Sequence, residues 1–157
     1  MKTRIEIWRR FYRLNGWERS IVLEAAGWLL ATWTGLRLLG FRRWKSLLLR
    51  LDPTQIPSTY GVRQEVTAST CQISRLELAT ARYLPLRTNC LEQSLVLWWL
   101  LHRRGIAAEL RVGARKDSNR LEAHAWVELD GDVLNEPGEE HRGFVPFDGP
   151  LASLERQ

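Results

Sequence analysis

The cysteines and histidines of this 157-residue chain are the residue types that could pair as nucleophile and base. Cys90 follows Asn89, and Glu92 stands three residues after Asn89, which is the pattern of a capping box at a helix start. Cys90 is then the first helical residue, where free backbone N–H groups and the positive end of the helix dipole favour a thiolate. This position suits a nucleophile, whereas a small buried thiol is the structural alternative.

His124 is the histidine best placed by sequence to act as the base. His102 lies twelve residues beyond Cys90 on the same predicted helix, about 18 Å away at 1.5 Å per residue, so we expect it to cap the helix C-terminus. His141 lies in an acidic stretch between Pro and Gly residues, where a solvated loop histidine is expected. His124 and Trp126 face away from the apolar stripe of a predicted strand, formed by Leu121, Ala123, Ala125, Val127 and Leu129. That face could address a site, or His124 could simply be an exposed residue on an amphipathic strand.

A third group should orient the imidazole, and two neighbouring residues compete for this role. With a two-residue loop Asp130-Gly131, Asn135 shares the His124 side of the hairpin. With a three-residue loop that includes a bulge, Glu136 pairs directly across from His124. Either side chain could accept a hydrogen bond from the Nδ1–H group of His124, but only Glu136 would stabilise the imidazolium by its charge.

The elements that carry these residues follow an α+β order. Helical spacing predicts helices over about 3–14, 17–39, 41–51 and 63–83, with a Pro/Ser/Gly-rich loop over 52–61. The helix that begins at Cys90 is apolar nearly all round, ends before Gly105, and is predicted to be the buried central helix. Period-two alternation then predicts strands over 108–112 and 121–129, and Asp130-Gly131 predicts a hairpin into a third strand near 132–136. N-terminal helices followed by a small antiparallel sheet define an α+β fold.

The length predicts a single domain, with a basic helical region over 1–85 and a core of helix and sheet over 86–157. Residues 1–50 contain eleven Lys/Arg, three Glu and five of the eight tryptophans, a net charge of +8 against +5 for the whole chain. Such a region can bind a membrane surface, nucleic acid or a partner protein. The cysteine count and the lack of a visible signal peptide favour a cytoplasmic setting. The longest uncharged stretch near the N-terminus, residues 25–36, is too short to span a bilayer.

Metal-ion and nucleotide chemistry are not favoured by the sequence. The cysteines and histidines have no CxxC or HxxxH spacing, and no Gly-rich phosphate loop is present. We therefore expect no metal and no cofactor. The sequence leaves open whether the last twenty residues form an extra strand or a lid, and Cys71 is expected to be a buried structural thiol.

Several motifs follow one another between residues 86 and 148. They are, in order, Asn89-Cys90-Leu91-Glu92, Arg103-Arg104-Gly105-Ile106, Arg111-Val112-Gly113, Ala123-His124-Ala125-Trp126-Val127-Glu128 and Asn135-Glu136-Pro137. Together they resemble the transglutaminase-like cysteine peptidases of lasso peptide biosynthesis. The resemblance implies a transglutaminase/papain-like core with Cys90 as nucleophile, His124 as base and Glu136 in the position of the usual aspartate.

The same resemblance implies removal of the leader from a ribosomally made lasso peptide precursor by the peptidase half of a split protein. It implies three partners: the precursor, a separate leader-recognition protein and an ATP-dependent cyclase. The basic helices would dock one of the protein partners or touch a membrane surface, and no nucleic acid partner is expected. Two other functions stay open. The same triad could transfer an acyl group to an amine, or the chain could be a non-catalytic adaptor that binds lipid or nucleic acid through its basic helices.

Overall fold

The computed structural model describes residue 9 and residues 11–51, 63–117, 120–136 and 140–147. Within these ranges the helices are α1 (Gly16–Leu51), α2 (Arg63–Tyr83) and α3 (Cys90–His102). The strands are β1 (Glu109–Asp117), β2 (Arg120–Leu129), β3 (Asp132–Val133) and β4 (Val145–Pro146), with a short 3₁₀ helix over Glu140–Gly143. The strands form one antiparallel sheet in the order β3-β2-β1-β4. Helices followed by a small antiparallel sheet confirm the predicted α+β class.

Helix α1 contains a sharp change of direction at Gly40. This residue has φ 76° and ψ 168°, which is not helical and is a conformation that glycine adopts readily. Trp44 beyond the bend donates from Nε1 to Oγ1 of Thr32 before it, at 3.3 Å. Residues twelve apart in a straight helix would be about 18 Å apart, so the chain folds back at Gly40. Gly35 is needed beside this contact, because a Cβ atom there would collide with the Trp44 ring.

The predicted break at Gly40 is therefore confirmed. The first predicted helix lies partly outside the described residues; residues 9 and 11–13 are helical.

Helix α3 is the buried centre of the molecule, as predicted. Residues Ser94 to Leu101 are all buried. The helix ends where Gly105 adopts φ 73° and the Ile106 N–H donates to the Leu101 carbonyl at 3.1 Å. Arg103 and Arg104, just beyond α3, both pair with Glu24 of α1. These contacts tie the C-terminal end of α3 to the helical layer.

The apolar stripe of β2 is buried only in part. Ala125 and Val127 are buried and Leu129 is half-buried, but Leu121 and Ala123 are exposed, so the prediction that the whole stripe packs on the core is wrong. At this end of β2, consecutive residues from Arg120 to Ala123 are all exposed, so both faces of the strand are open to solvent there.

The β2–β3 connection is the two-residue turn Asp130-Gly131, with φ 53° and 89° at its two positions. This confirms the hairpin, although β3 ends at Val133 instead of near residue 136. Part of the C-terminal segment forms strand β4, which pairs with Gly113 and Ala114 of β1. Residues 148–157 lie outside the described residues.

Candidate active site

Cys90 lies at the first position of α3, and a reciprocal capping box fixes this helix start. The Asn89 side chain accepts from the Glu92 N–H at 3.0 Å, and the Glu92 carboxylate accepts from the Asn89 N–H at 2.9 Å. The second oxygen of the buried Glu92 carboxylate pairs with Arg37 of α1 at 2.9 Å. Because the capping residues bond the N–H groups of Glu92 and Gln93, the N–H groups of Cys90 and Leu91 have no acceptor within the helix. They are available to an oxyanion beside the half-buried thiol.

His124 lies on β2, and its ring is held between aromatic neighbours. The Trp126 ring is stacked at 6.1 Å between centroids and the Phe144 ring lies at 5.1 Å. Across the β1–β2 ladder, His124 is paired with Gly113. A Cβ atom at position 113 would lie 2.8 Å from the Val145 carbonyl oxygen and 2.9 Å from the Trp126 ring, so only glycine fits there. The packing restricts the imidazole to a narrow range of orientations.

Glu136 is the carboxylate that contacts His124. Its Oε1 atom meets Nε2 of His124, and its side chain is only 7% exposed. The prediction that the acceptor would take the Nδ1–H group is therefore wrong, because the Nε2 edge of the ring faces Glu136. Nδ1 is therefore the ring nitrogen that does not contact Glu136.

Asn135 has a structural role, and it explains why Glu136 reaches the histidine. The Leu134 N–H donates to the Val127 carbonyl as in a regular ladder, but the Val127 N–H donates to Oδ1 of Asn135 at 2.9 Å. The Leu134 carbonyl instead accepts from Ser74 of α2 at 2.6 Å. The Asn135 side chain thus replaces the Leu134 carbonyl as the acceptor for the Val127 N–H. The regular pairing of the chain with β2 ends at this point. Although the turn has two residues, Glu136 and not Asn135 meets His124.

His141 is a member of this cluster that the sequence reasoning missed. Its backbone N–H donates to Oε2 of Glu136 at 2.8 Å, and its Nδ1 lies 3.1 Å from the same oxygen. The expectation of a solvated loop histidine is wrong, since this side chain is only 23% exposed. One carboxylate therefore serves two histidines. Glu136 and His141 are five residues apart, a separation that matches no pattern of a helix, strand or turn.

A buried hydrogen-bond chain joins α3 to the His124 segment. Ser94 donates from Oγ to the Ala125 carbonyl at 2.8 Å and accepts from Nδ2 of Asn135 at 2.8 Å. Cys90 lies four residues before Ser94, so both lie on the face of α3 that contacts β2. The rise between them is about 6 Å. We expect the Cys90 thiol to approach His124 from this side.

The remaining candidate residues lie away from this cluster. His102 is at the opposite end of α3, where its ring stacks on Trp98 at 5.1 Å between centroids. Cys71 is exposed on α2, so the expectation of a buried thiol is wrong. Within the described ranges, no group of three or more His, Cys, Asp or Glu side chains is arranged to hold a metal ion.

The comparisons with known proteins assign the family. A family model described as the transglutaminase-like superfamily matches residues 29–147, about three quarters of the chain and the whole cluster around Glu136. The chain belongs to the transglutaminase-like superfamily. This superfamily includes cysteine peptidases and acyl transferases, and its members are typically cysteine-based enzymes. The fold is its α+β core of helices and a small antiparallel sheet. No curated protein and no solved structure matches the chain. None of the described helices is both long and apolar enough to cross a membrane.

Proposed function

We propose that the chain is a cysteine peptidase that removes the leader from a ribosomally synthesised lasso peptide precursor. The observation that carries the proposal is the contact between Glu136 and Nε2 of His124 on β2, the strand that the Cys90 helix contacts through Ser94 and the Ala125 carbonyl. Membership of a superfamily of cysteine-based enzymes supports the class of chemistry. The motifs from Asn89 to Glu136 support the lasso precursor as substrate by resemblance.

The reaction begins when Nδ1 of His124 takes the proton of the Cys90 thiol. The thiolate attacks the carbonyl carbon of the bond between leader and core, and the N–H groups of Cys90 and Leu91 hold the resulting oxyanion. The C–N bond then breaks as His124 returns its proton to the departing core amine. A thioester between the leader and Cys90 remains.

Water completes the cycle. His124 removes a proton from the water as it attacks the thioester, and the leader leaves with a free carboxylate while Cys90 regains its proton. Glu136 stabilises the imidazolium form of His124 in both halves of the reaction by its negative charge. No cofactor takes part.

The partners in this proposal are a separate leader-recognition protein and an ATP-dependent lasso cyclase. The surface proposed for docking lies on both sides of Gly40, where arginines and leucines are exposed together: Leu38, Leu39, Arg42, Arg43 and Leu47. Peripheral contact with an anionic membrane would use the same charges.

The test is cleavage of the cognate precursor in the presence of the recognition protein, followed by mass spectrometry. Cys90→Ala and His124→Ala are each expected to lower the rate roughly a thousandfold or more, because a triad fails as a unit. Cys71→Ala and His102→Ala are matched controls away from the site and are expected to cleave normally. Cleavage that survives Cys90→Ala would contradict the peptidase proposal. A product in which the leader is joined to an amine, instead of to water, would select the acyl transferase.

A further inference from the structure

A cleft of about 1000 Å³ opens beside the candidate active site and runs along α2. At the end near the site it is lined by Glu136 and by Thr88 and Gln93, which lie on either side of Cys90 in the sequence. Gln93 donates from Nε2 to Oγ1 of Thr88 at 3.0 Å, which fixes this wall of the cleft. Through Thr88 and Gln93, this end of the cleft therefore lies within a few residues of Cys90 along the chain.

Three arginines line the same cleft: Arg75 and Arg82 on α2, and Arg87 in the connection to α3. All three are exposed, and none forms an ion pair or hydrogen bond with another described residue. Glu136 is the one carboxylate among the described lining residues, and its two oxygens already contact His124 and His141. Among the described residues, the positive charge of these three arginines thus has no carboxylate partner.

The sheet edge in the cleft suits an extended peptide. Val133 of β3 lines the cleft, and β3 is the edge strand next to β2. Val133 lies between the hydrogen-bonded positions Asp132 and Leu134, so its own N–H and C=O groups point away from β2. An extended chain could bond to this edge and place alternate side chains toward the arginines.

We propose that this cleft binds an extended segment of the peptide substrate that carries acidic side chains, recognised by Arg75, Arg82 and Arg87. The inference rests on the proposed peptidase function for the identity of the ligand. The proposal requires negative charge on the bound substrate segment, which neither the superfamily match nor the catalytic residues imply.

The test measures binding separately from cleavage, in the full chain carrying Cys90→Ala. The probes are two fluorescein-labelled extended peptides of equal length, one with glutamate at every second position and one with glutamine there. Fluorescence anisotropy measures the binding of each peptide. The glutamate peptide is expected to bind roughly tenfold more tightly at low salt, with the preference falling as salt is raised. Each of Arg82→Gln and Arg87→Gln should weaken its binding about two- to fivefold.

The triple variant, in which Arg75, Arg82 and Arg87 are all replaced by glutamine, should abolish the preference for the glutamate peptide. The matched control is Lys116→Gln with Arg120→Gln, which removes exposed cations of strands β1 and β2 that do not line the cleft and should leave the preference intact. Equal binding of the two peptides, or a preference that survives the triple variant, would overturn the inference. Binding to phosphatidylserine vesicles that needs these arginines, without any peptide preference, would also overturn it.

Cleavage separates this inference from the proposed function. If the precursor is cut and the triple variant leaves KM unchanged, the acidic-segment inference fails and the peptidase stands. If the glutamate preference is present but no precursor is cut by the chain with Cys90, the peptidase fails and the cleft stands as an acidic-peptide site.

Discussion

Glu77 gives the sharpest prediction about stability. It lies on the buried face of α2 and is 0% exposed, and neither of its carboxylate oxygens has a hydrogen-bond partner among the described residues. Burial raises the pKa of this carboxyl from 4.5 to about 8. The folded protein therefore holds Glu77 in its neutral form near pH 7, whereas the unfolded chain ionises it.

The sign of the pH dependence follows from this difference in proton binding. Because the folded state has the higher pKa, the stabilisation is complete below about pH 4.5 and is lost as pH rises to about 8. Within that window each pH unit lowers the free energy of unfolding by about 1.4 kcal/mol. From about pH 5.5 to about pH 7.5 the Glu77 contribution therefore falls by about 3 kcal/mol.

The assay is urea unfolding followed by circular dichroism, for the protein and for Glu77→Gln, across that range. Other groups titrate in both proteins, so the difference between the two free energies of unfolding isolates Glu77. That difference should shift by about 3 kcal/mol in favour of Glu77→Gln as pH rises. A difference that stays constant across the range would show that Glu77 does not titrate there, and would refute the reasoning from burial.

Three further substitutions test the site and its supports. Asn135→Ala should lower the free energy of unfolding by roughly 2–4 kcal/mol in urea denaturation, because it leaves the buried Val127 N–H without its acceptor; full stability would contradict the ladder replacement. Glu136→Gln should lower kcat/KM for precursor cleavage by roughly 10²- to 10⁴-fold while binding persists, since an amide cannot stabilise the imidazolium by charge; unchanged cleavage would argue against its role. Gly113→Ala should lower the thermal midpoint through a cost of roughly 1–3 kcal/mol, because its Cβ would meet Val145 and Trp126; an unchanged midpoint would contradict this packing.

The helix start at Cys90 and the Asp130-Gly131 turn could be predicted from the sequence because each is determined by residues close together in the chain. Asn89 and Glu92 are three residues apart and predict the helix start at Cys90, which the capping box confirms. Asp130-Gly131 predicts the hairpin because both turn positions need a positive φ. These patterns involve neighbouring residues and do not depend on the rest of the fold.

The choice between Asn135 and Glu136 depends on contacts that no short pattern contains. Two contacts determine it. The Asn135 side chain accepts from the Val127 N–H, and Ser74, sixty residues before Leu134, donates to the Leu134 carbonyl. The sequence left this choice open, and the observed two-residue turn, taken without these contacts, would place Asn135 on the His124 side. His141 was missed for a related reason, because its contact with Glu136 needs the 3₁₀ helix to return to the site.

Cys71 shows a third limit of sequence reasoning. The buried face of α2 includes the polar residues Thr70, Ser74 and Glu77. Apolar periodicity therefore does not mark which side of α2 faces the core, and the outward position of Cys71 could not be read from it.

The central claim is that the Cys90 thiol and the His124 side chain meet beside Glu136. The direct test replaces His124 with cysteine in a Cys71→Ser background and adds dibromobimane, which becomes fluorescent when it joins two thiols a few ångströms apart. Ala123→Cys, the exposed neighbour on the opposite face of β2, is the matched control. The account predicts strong fluorescence and an intramolecular cross-link to Cys90 for His124→Cys, and little for Ala123→Cys. Equal labelling of both, or no cross-link from position 124, would contradict it.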